Sequence, residues 1–227
     1  LCPVVVAGDA SDRVRKAAGE LATLLDRIAG SPFEVKTGDG TGGIAVGLPA
    51  HFPASPFRGL WAAPAVEERE DYRILTHPRG AWLVGATELA VEHAVWDFLY
   101  RLGHRQFFPG ERWEVVPRRP DLAAAVDARE SPAWRARRIW YGFGAWDYAA
   151  APYAQWCARN RATSGMELST GHAYGGLIKA NQAEFDRHPE YYALVQGKRT
   201  VAPEAKLCIG NPGLRQLVAR HVFDRFA

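Results

Sequence analysis

Arg138, Trp146, Asn160, His172 and Tyr174 are the residues of this chain whose types suit the binding of a polyhydroxylated ring. Such a ring offers its hydroxyls to planar or ring-borne donors and its C–H face to flat aromatic side chains. Arg138 lies on a predicted strand, with Arg137 alternating to the other face, and an interdomain salt bridge is its competing role. Trp146 follows that strand, in the aromatic stretch Trp140, Tyr141, Phe143, Trp146, Tyr148 and Tyr153, and stacking on a ring competes there with burial in a core. Trp140, on the strand itself, reads as core. His172, with Tyr174 two residues on, sits in a loop after a predicted strand. It suits a hydroxyl donor or a group that orients an acid, and equally a structural histidine bonded to backbone. Asn160 stands on or just after a helix, which it also serves to close, and Asn211, before Pro212, reads as a helix N-cap.

Other chemistries find little purchase. Asp147, Glu167 and Glu184 are carboxylates near predicted strand ends, and they read as solvated or salt-bridged surface acids. No second histidine lies at helical or strand spacing from His172, so a metal site is not expected. Gly38 to Gly43 is glycine-rich, but no Lys-Ser/Thr follows it and a strand comes next where a phosphate loop needs a helix. Cys2, Cys157 and Cys208 are odd in number and far apart, without Cys-x-x-Cys spacing, which argues against both a zinc site and a disulfide framework. The net charge is +3, with acids interspersed among the arginines, so the basic stripe of a nucleic-acid binder is missing. At 48% hydrophobic and 23% charged residues the composition is that of an ordinary globular protein, and no apolar run approaches membrane-spanning length. The chain starts at Leu1 with no charged stretch leading into an apolar one, leaving open both a removed leader and a shortened chain.

These residues need elements to position them. Pro3–Ala7, Phe33–Thr37 and Ile44–Gly47 read as strands, and Asp71–Thr76 pairs with Ala81–Val84 across His77-Pro78-Arg79-Gly80. Val14, Ala17, Ala18, Leu21, Leu24, Leu25 and Ile28 mark one amphipathic helix closed by Gly30. Ala90, Val91, Ala94, Val95, Phe98, Leu99 and Leu102 mark a second, over Glu88 to Leu102 and closed by Gly103. A buried aromatic strand is expected through Phe107 and Phe108, and residues 48 to 69, with their prolines, read as a surface loop. The resulting β-α-β-β-β-β-α-β order predicts an α/β sandwich over residues 1–125, a mixed sheet with both helices on one face. Pro117 to Pro132 reads as the crossing to a second domain, 126–227. There, strands at Arg135–Phe143, Gly165–Thr170 and Leu207–Gly210 alternate with a helix from Pro152, a short helix within Glu184–Leu194, and a last helix striped by Leu214, Leu217, Val218, Val222 and Phe226. This reads as the opening of a (β/α)8 TIM barrel that three strands leave incomplete, with a different, smaller fold as the alternative.

Two blocks carry a family resemblance. Gly85 to Pro117 resembles the small α/β domain that precedes the catalytic barrel in glycoside hydrolase families 20 and 67. Glu130–Arg138, Trp156–Arg161, Gly171-His172, His188–Arg199 and Leu207–Pro212 resemble the domain-of-unknown-function 4838 family, which overlaps glycoside hydrolase family 163. The resemblance implies the N-terminal portion of a secreted or periplasmic glycoside hydrolase acting on a glycan that carries N-acetylhexosamine or a uronic acid. It implies retaining hydrolysis through substrate assistance, without a cofactor. Arg138 aligns with the family 20 arginine that holds sugar hydroxyls, and Arg159-Asn160 with an Arg-Asn pair of the first barrel helix. The acidic pair of family 20 follows the fourth barrel strand, so the catalytic acid is expected beyond Ala227 and the chain alone is expected to be inactive. A non-catalytic carbohydrate-binding or structural α/β module is the alternative.

Overall fold

Three consecutive valines, Val4–Val6, make strand β1 in the interior of a sheet, one strand in from its edge, where β-branched side chains pack on both faces. In the computed structural model, which describes residues 2–61, 69–137, 139, 147–163, 174–202 and 205–224, the chain divides into two compact units, Leu1–Leu168 and Ser169–Ala227.

In the first unit, β1 is flanked by β2 (Val35–Thr37) and β3 (Gly43–Gly47), both parallel to it, and β3 pairs in parallel with β5 (Gly80–Gly85). The hairpin partner β4 (Tyr72–His77) runs antiparallel to β5, with Tyr72 opposite Gly85 and His77 opposite Gly80. The sheet is therefore mixed, as the element order predicts. Helix α1 (Asp12–Ala29) starts where Ser11 Oγ accepts from Val14 N and ends at a left-handed Gly30. Helix α2 (Glu88–Leu102) is capped by Thr87 and stopped by Gly103 in the same way. Both helices bury their apolar faces against one side of the sheet: Leu21, Leu25 and Ile28 of α1 and Val91, Val95 and Leu99 of α2 share a core with Val4, Val6, Ile44, Val46, Ile74 and Leu83. The α/β sandwich read from the pattern is present.

Three features of this unit differ from the expectation. Residues 48–61 are not a solvent loop, because Phe52 and Phe57 are buried on the second sheet face against Val5, Ala45 and Val84. Strand alternation puts those three side chains opposite the helices, and an apolar second face needs a cover. The segment from Pro117 to Pro132 does more than cross between domains, since its end, β8 (Asp127–Glu130), adds an edge strand antiparallel to β4. The aromatic strand shrinks to β6 (Arg105–Gln106), paired with β7 (Glu114–Val115), and Phe107 is 66% exposed. It is Gln106 and Glu114 that turn inward, for a reason that lies in the next helix.

That helix, α3 (Asp147–Arg159), begins five residues before the expected Pro152. Pro152 lies in its second turn, where the missing N–H costs the helix one i→i−4 bond. Arg135–Arg137 are irregular, and the remainder of the strand expected at 135–143, together with the strand expected at Gly165–Thr170, lies outside the described residues apart from Ile139.

The second unit packs α4 (Tyr174–Ala180), α5 (Gln182–Arg187) and α6 (Pro212–Phe223) around Leu177, Ile178, Phe185, Tyr191, Tyr192, Leu207, Leu214 and Leu217. A hairpin of β9 (Leu194–Val195) and β10 (Lys198–Arg199) turns through Gln196 and Gly197, both at positive φ. Asn211 caps α6 as expected, its Oδ1 accepting from Gly213 N at 2.8 Å and Leu214 N at 3.2 Å. The strand expected at Leu207–Gly210 is a single antiparallel bridge between Leu207 and Tyr192, and Val222, expected in the apolar stripe, is exposed. Among the described residues, no helix is long and apolar enough to cross a membrane.

Gly85 ends β5 directly under the first turn of α2, and a Cβ there would stand 2.3 Å from Val91 N and 2.5 Å from the Ala90 carbonyl carbon. Both obstacles are backbone, so they cannot swing aside. Gly85→Ala is expected to destabilise the first unit by about 3 kcal/mol, the upper range of overpacking, as measured by urea unfolding followed by circular dichroism.

Candidate functional site

Helix α2 is buried on nearly every side, yet its sequence places His93, Asp97 and Arg101 four residues apart on one face. His93 and Asp97 are 1% and 5% exposed, so this polar stripe starts in the interior and surfaces at Arg101. Glu70, just before β4, is as deeply buried, and its carboxylate accepts from the Arg137 guanidinium while standing 3.3 Å from His93 Nδ1. His93 Nε2 lies 3.3 Å from Thr163 Oγ1. Arg137 also donates to three carbonyls, of Trp134 at 2.6 Å, Arg161 at 3.0 Å and Thr163 at 2.7 Å. Further along the stripe, Asp97 accepts from Arg101 at 2.9 Å and from Arg161 at 2.5 Å, and Arg101 bridges to Glu130 at 2.8 Å. His93, Asp97, Arg101, Arg137 and Arg161, with Tyr72, Glu130 and Asn160 among others, line a cleft of about 430 Å³.

Burial sets the electrostatics. The His93 imidazole is pushed down to about 3 by desolvation and by the facing cations Arg137, Arg161 and Arg13. The Tyr72 phenol is pushed up, by burial first and then by Asp97, which holds its hydroxyl. Within the cleft the described charges are matched: Glu70 to Arg137, Asp97 to Arg101 and Arg161, Glu130 to Arg101. Paired in this way, they hold segments of chain together, since breaking a buried pair leaves a stranded charge.

A second polar cluster joins α3 to the β6–β7 hairpin. Trp156 Nε1 and Asn160 Nδ2 both donate to the Gln106 carbonyl, at 3.1 and 3.0 Å. Arg159 donates to Gln106 Oε1 at 3.0 Å and Glu114 Oε1 at 2.7 Å, and its guanidinium lies over the Trp96 ring. Glu114 also receives Arg27 at 2.8 Å and His104 at 3.1 Å. Burial works to raise the Glu114 carboxyl, and His104, Arg27 and Arg159 together hold it below its usual value. His104 is itself lowered, desolvation outweighing its bond to Glu114. These donors explain the inward turn of Gln106 and Glu114.

Of the residues read as ring-binding, Arg138, Trp146 and His172 lie outside the described residues. Asn160 lines the cleft, but its amide donates to the Gln106 and Trp156 carbonyls, so its donors serve the α3–hairpin joint. Tyr174 is the first residue of α4 in the second unit and is 45% exposed. Glu184 is a surface acid paired with Arg187, as expected, whereas Glu167 and the Asp147 side chain are outside the description. Among the described residues no group of three His, Cys, Asp or Glu could hold a metal ion. The sequence reading passed over Glu70, His93 and Asp97, and named Arg137 only as the neighbour of Arg138 that faces the other way. The available signal was the i, i+4, i+8 spacing of His93, Asp97 and Arg101 within a helix otherwise read as core.

Between the His93 value and that of an unfolded histidine, only the unfolded chain binds the proton, so stability falls as pH drops from about 6.5 toward 3. The slope attributable to His93 is at most about 1.4 kcal/mol per pH unit. His93→Gln is expected to flatten it, read from urea midpoints across that range. Glu114→Gln removes the carboxylate shared by Arg27, His104 and Arg159, leaving Arg159 with Gln106 and, at 3.8 Å, Glu20, and is expected to cost about 2 kcal/mol in the same assay at pH 7.

The sequence pattern of a family described as "Domain of unknown function (DUF4838)" matches residues 108–227, more than half of the chain. No protein with a curated description matches in sequence. Among solved structures, the chain is similar to the GH20 β-N-acetylhexosaminidase of Streptomyces coelicolor A3(2), at 21% identity and a TM-score of 0.41 over 60% of this chain and 23% of that one. It is similar to the N-acetyl-β-hexosaminidase of Streptomyces plicatus, at 22% identity and 0.39 over 59% and 23%. It is also similar to a family GH115 4-O-methyl-α-glucuronidase with specificity for decorated arabinogalactans, at 16% identity and 0.42 over 58% and 18%. The matched part thus spans less than a quarter of each of these enzymes.

Proposed function

Because the chain belongs to the DUF4838 family, we propose that it is the N-terminal portion of a glycoside hydrolase whose substrate is a glycan carrying N-acetylhexosamine. The observation that carries this reading is the seating of α3 on the β6–β7 hairpin through Trp156, Arg159 and Asn160. The hairpin belongs to the Gly85–Pro117 block, which resembles the pre-barrel glycosidase domain, and α3 carries the Trp156–Arg161 block, which resembles the first barrel helix. The two blocks, far apart in sequence, meet in one unit. The α/β sandwich ahead of them has the element order that the resemblance implies.

In this reading the α/β sandwich, near residues 1–125, is a support for a barrel that begins in 126–227 and continues past Ala227. The barrel takes the glycan, with Arg138 serving its hydroxyls and Trp146 stacking on a ring. A carboxylic acid from the later barrel protonates the leaving oxygen, and the substrate's acetamido oxygen attacks the anomeric carbon. Retention of configuration follows, and the chemistry needs no cofactor. A secreted or periplasmic location fits a glycan substrate.

The test is release of nitrophenol from an aryl N-acetyl-β-glucosaminide and of N-acetylglucosamine from N-glycans. The longer gene product is expected to turn these over, with β-configured product appearing first by NMR, while the 227-residue chain shows no turnover. Turnover by the chain itself would refute the placement of the acid. Glycan binding by the chain without any turnover in the longer product would favour a carbohydrate-binding module.

A further inference from the structure

Arg161 has φ +54°, in the left-handed region that non-glycine residues rarely occupy. It follows α3 by two residues, at the position where helices commonly place glycine. The hydrogen bonds of such an ending are both made: Arg161 N donates to the Ala158 carbonyl at 3.0 Å and Ala162 N to the Cys157 carbonyl at 2.8 Å. For the backbone alone, glycine would be the better residue here. Something else must hold an arginine in that conformation. Its guanidinium reaches across to α2, donating to Asp97 at 2.5 Å and lying 5.5 Å from the centre of the Tyr100 ring. The carbonyls on either side of the bend, of Arg161 and Thr163, are taken by Arg137, which is anchored on Glu70.

We propose that Arg161 is a positioning residue, one that accepts backbone strain so that its side chain can clasp Asp97 and direct the chain leaving α3 onto the polar stripe of α2. A helix ending in glycine would make the same terminal hydrogen bonds, but nothing would tie the exit at Ala162 and Thr163 to Asp97. The clasp is distinct from the glycosidase reading and does not depend on it.

The two roles of Arg161 oppose each other, which makes them separable. Thermal melting of the 227-residue chain is followed for Arg161→Gly, Arg161→Asn, Asp97→Asn and the double variant Asp97→Asn with Arg161→Gly. Glycine and asparagine both tolerate the left-handed conformation, and neither reaches Asp97. Each single substitution at Arg161 is expected to lower the melting temperature by about 5 °C. In the Asp97→Asn background the sign reverses, and Arg161→Gly raises it, because with the ion pair gone the relief of strain outweighs the remaining contact with the Tyr100 ring. A helix end with no clasp would respond identically in both backgrounds. The proposal is overturned if Arg161→Gly or Arg161→Asn melts at or above the unaltered chain. Should Asp97→Asn not fold, those two single variants still decide it.

Discussion

Buried polar groups need partners, and α2 buries two of its own. His93 and Asp97 lie in the helix that forms much of the core, and burying them alone would cost several kcal/mol. Asp97 is matched by Arg101 within the helix and by Arg161 from beyond α3, and Glu70 beside His93 is matched by Arg137. The partners come from chain segments remote in sequence, so the α/β sandwich and the stretch through Thr163 share one electrostatic account. Neither half of the pairing is comfortable without the other.

The choice of arginine over lysine at these points follows from geometry. One planar guanidinium at Arg137 gathers a carboxylate and three carbonyls from different stretches of backbone. A lysine ammonium has three donors and no fixed fork, and would leave at least one of these buried carbonyls unmet. The same logic applies to Arg159, which spans Gln106 and Glu114 while its flat face covers Trp96. The scarcity of lysine in this arginine-rich chain is consistent with arginines used as internal connectors as well as surface charge.

For function, the consequence is a division of labour. The described charged groups of the cleft are engaged with one another, and the α3 donors are engaged with the hairpin. Such a region suits the holding of remote chain segments together better than it suits the making and breaking of bonds. This accords with the proposed place of the chain at the front of a glycosidase.

Most of the sandwich was legible from residue order alone. Caps at Ser11 and Thr87, glycine stops at Gly30 and Gly103, and apolar spacing within α1 and α2 are local signals, each written within a few residues. Strand alternation likewise announced a sheet with helices on one side. The sequence could not show which side of the β6–β7 hairpin faces inward, because Gln106 and Glu114 turn in only when Arg159 and Asn160 arrive from fifty residues away. Nor could it show that Phe52 and Phe57 cover the second sheet face, since their segment has no period of its own and takes its shape from Val5, Ala45 and Val84 beneath it. The clasp on α2 was decided by tertiary structure for the same reason: a buried ion pair is a relation between distant residues. Each partner by itself, Asp97 on a helix or Arg161 after one, looks like ordinary surface charge.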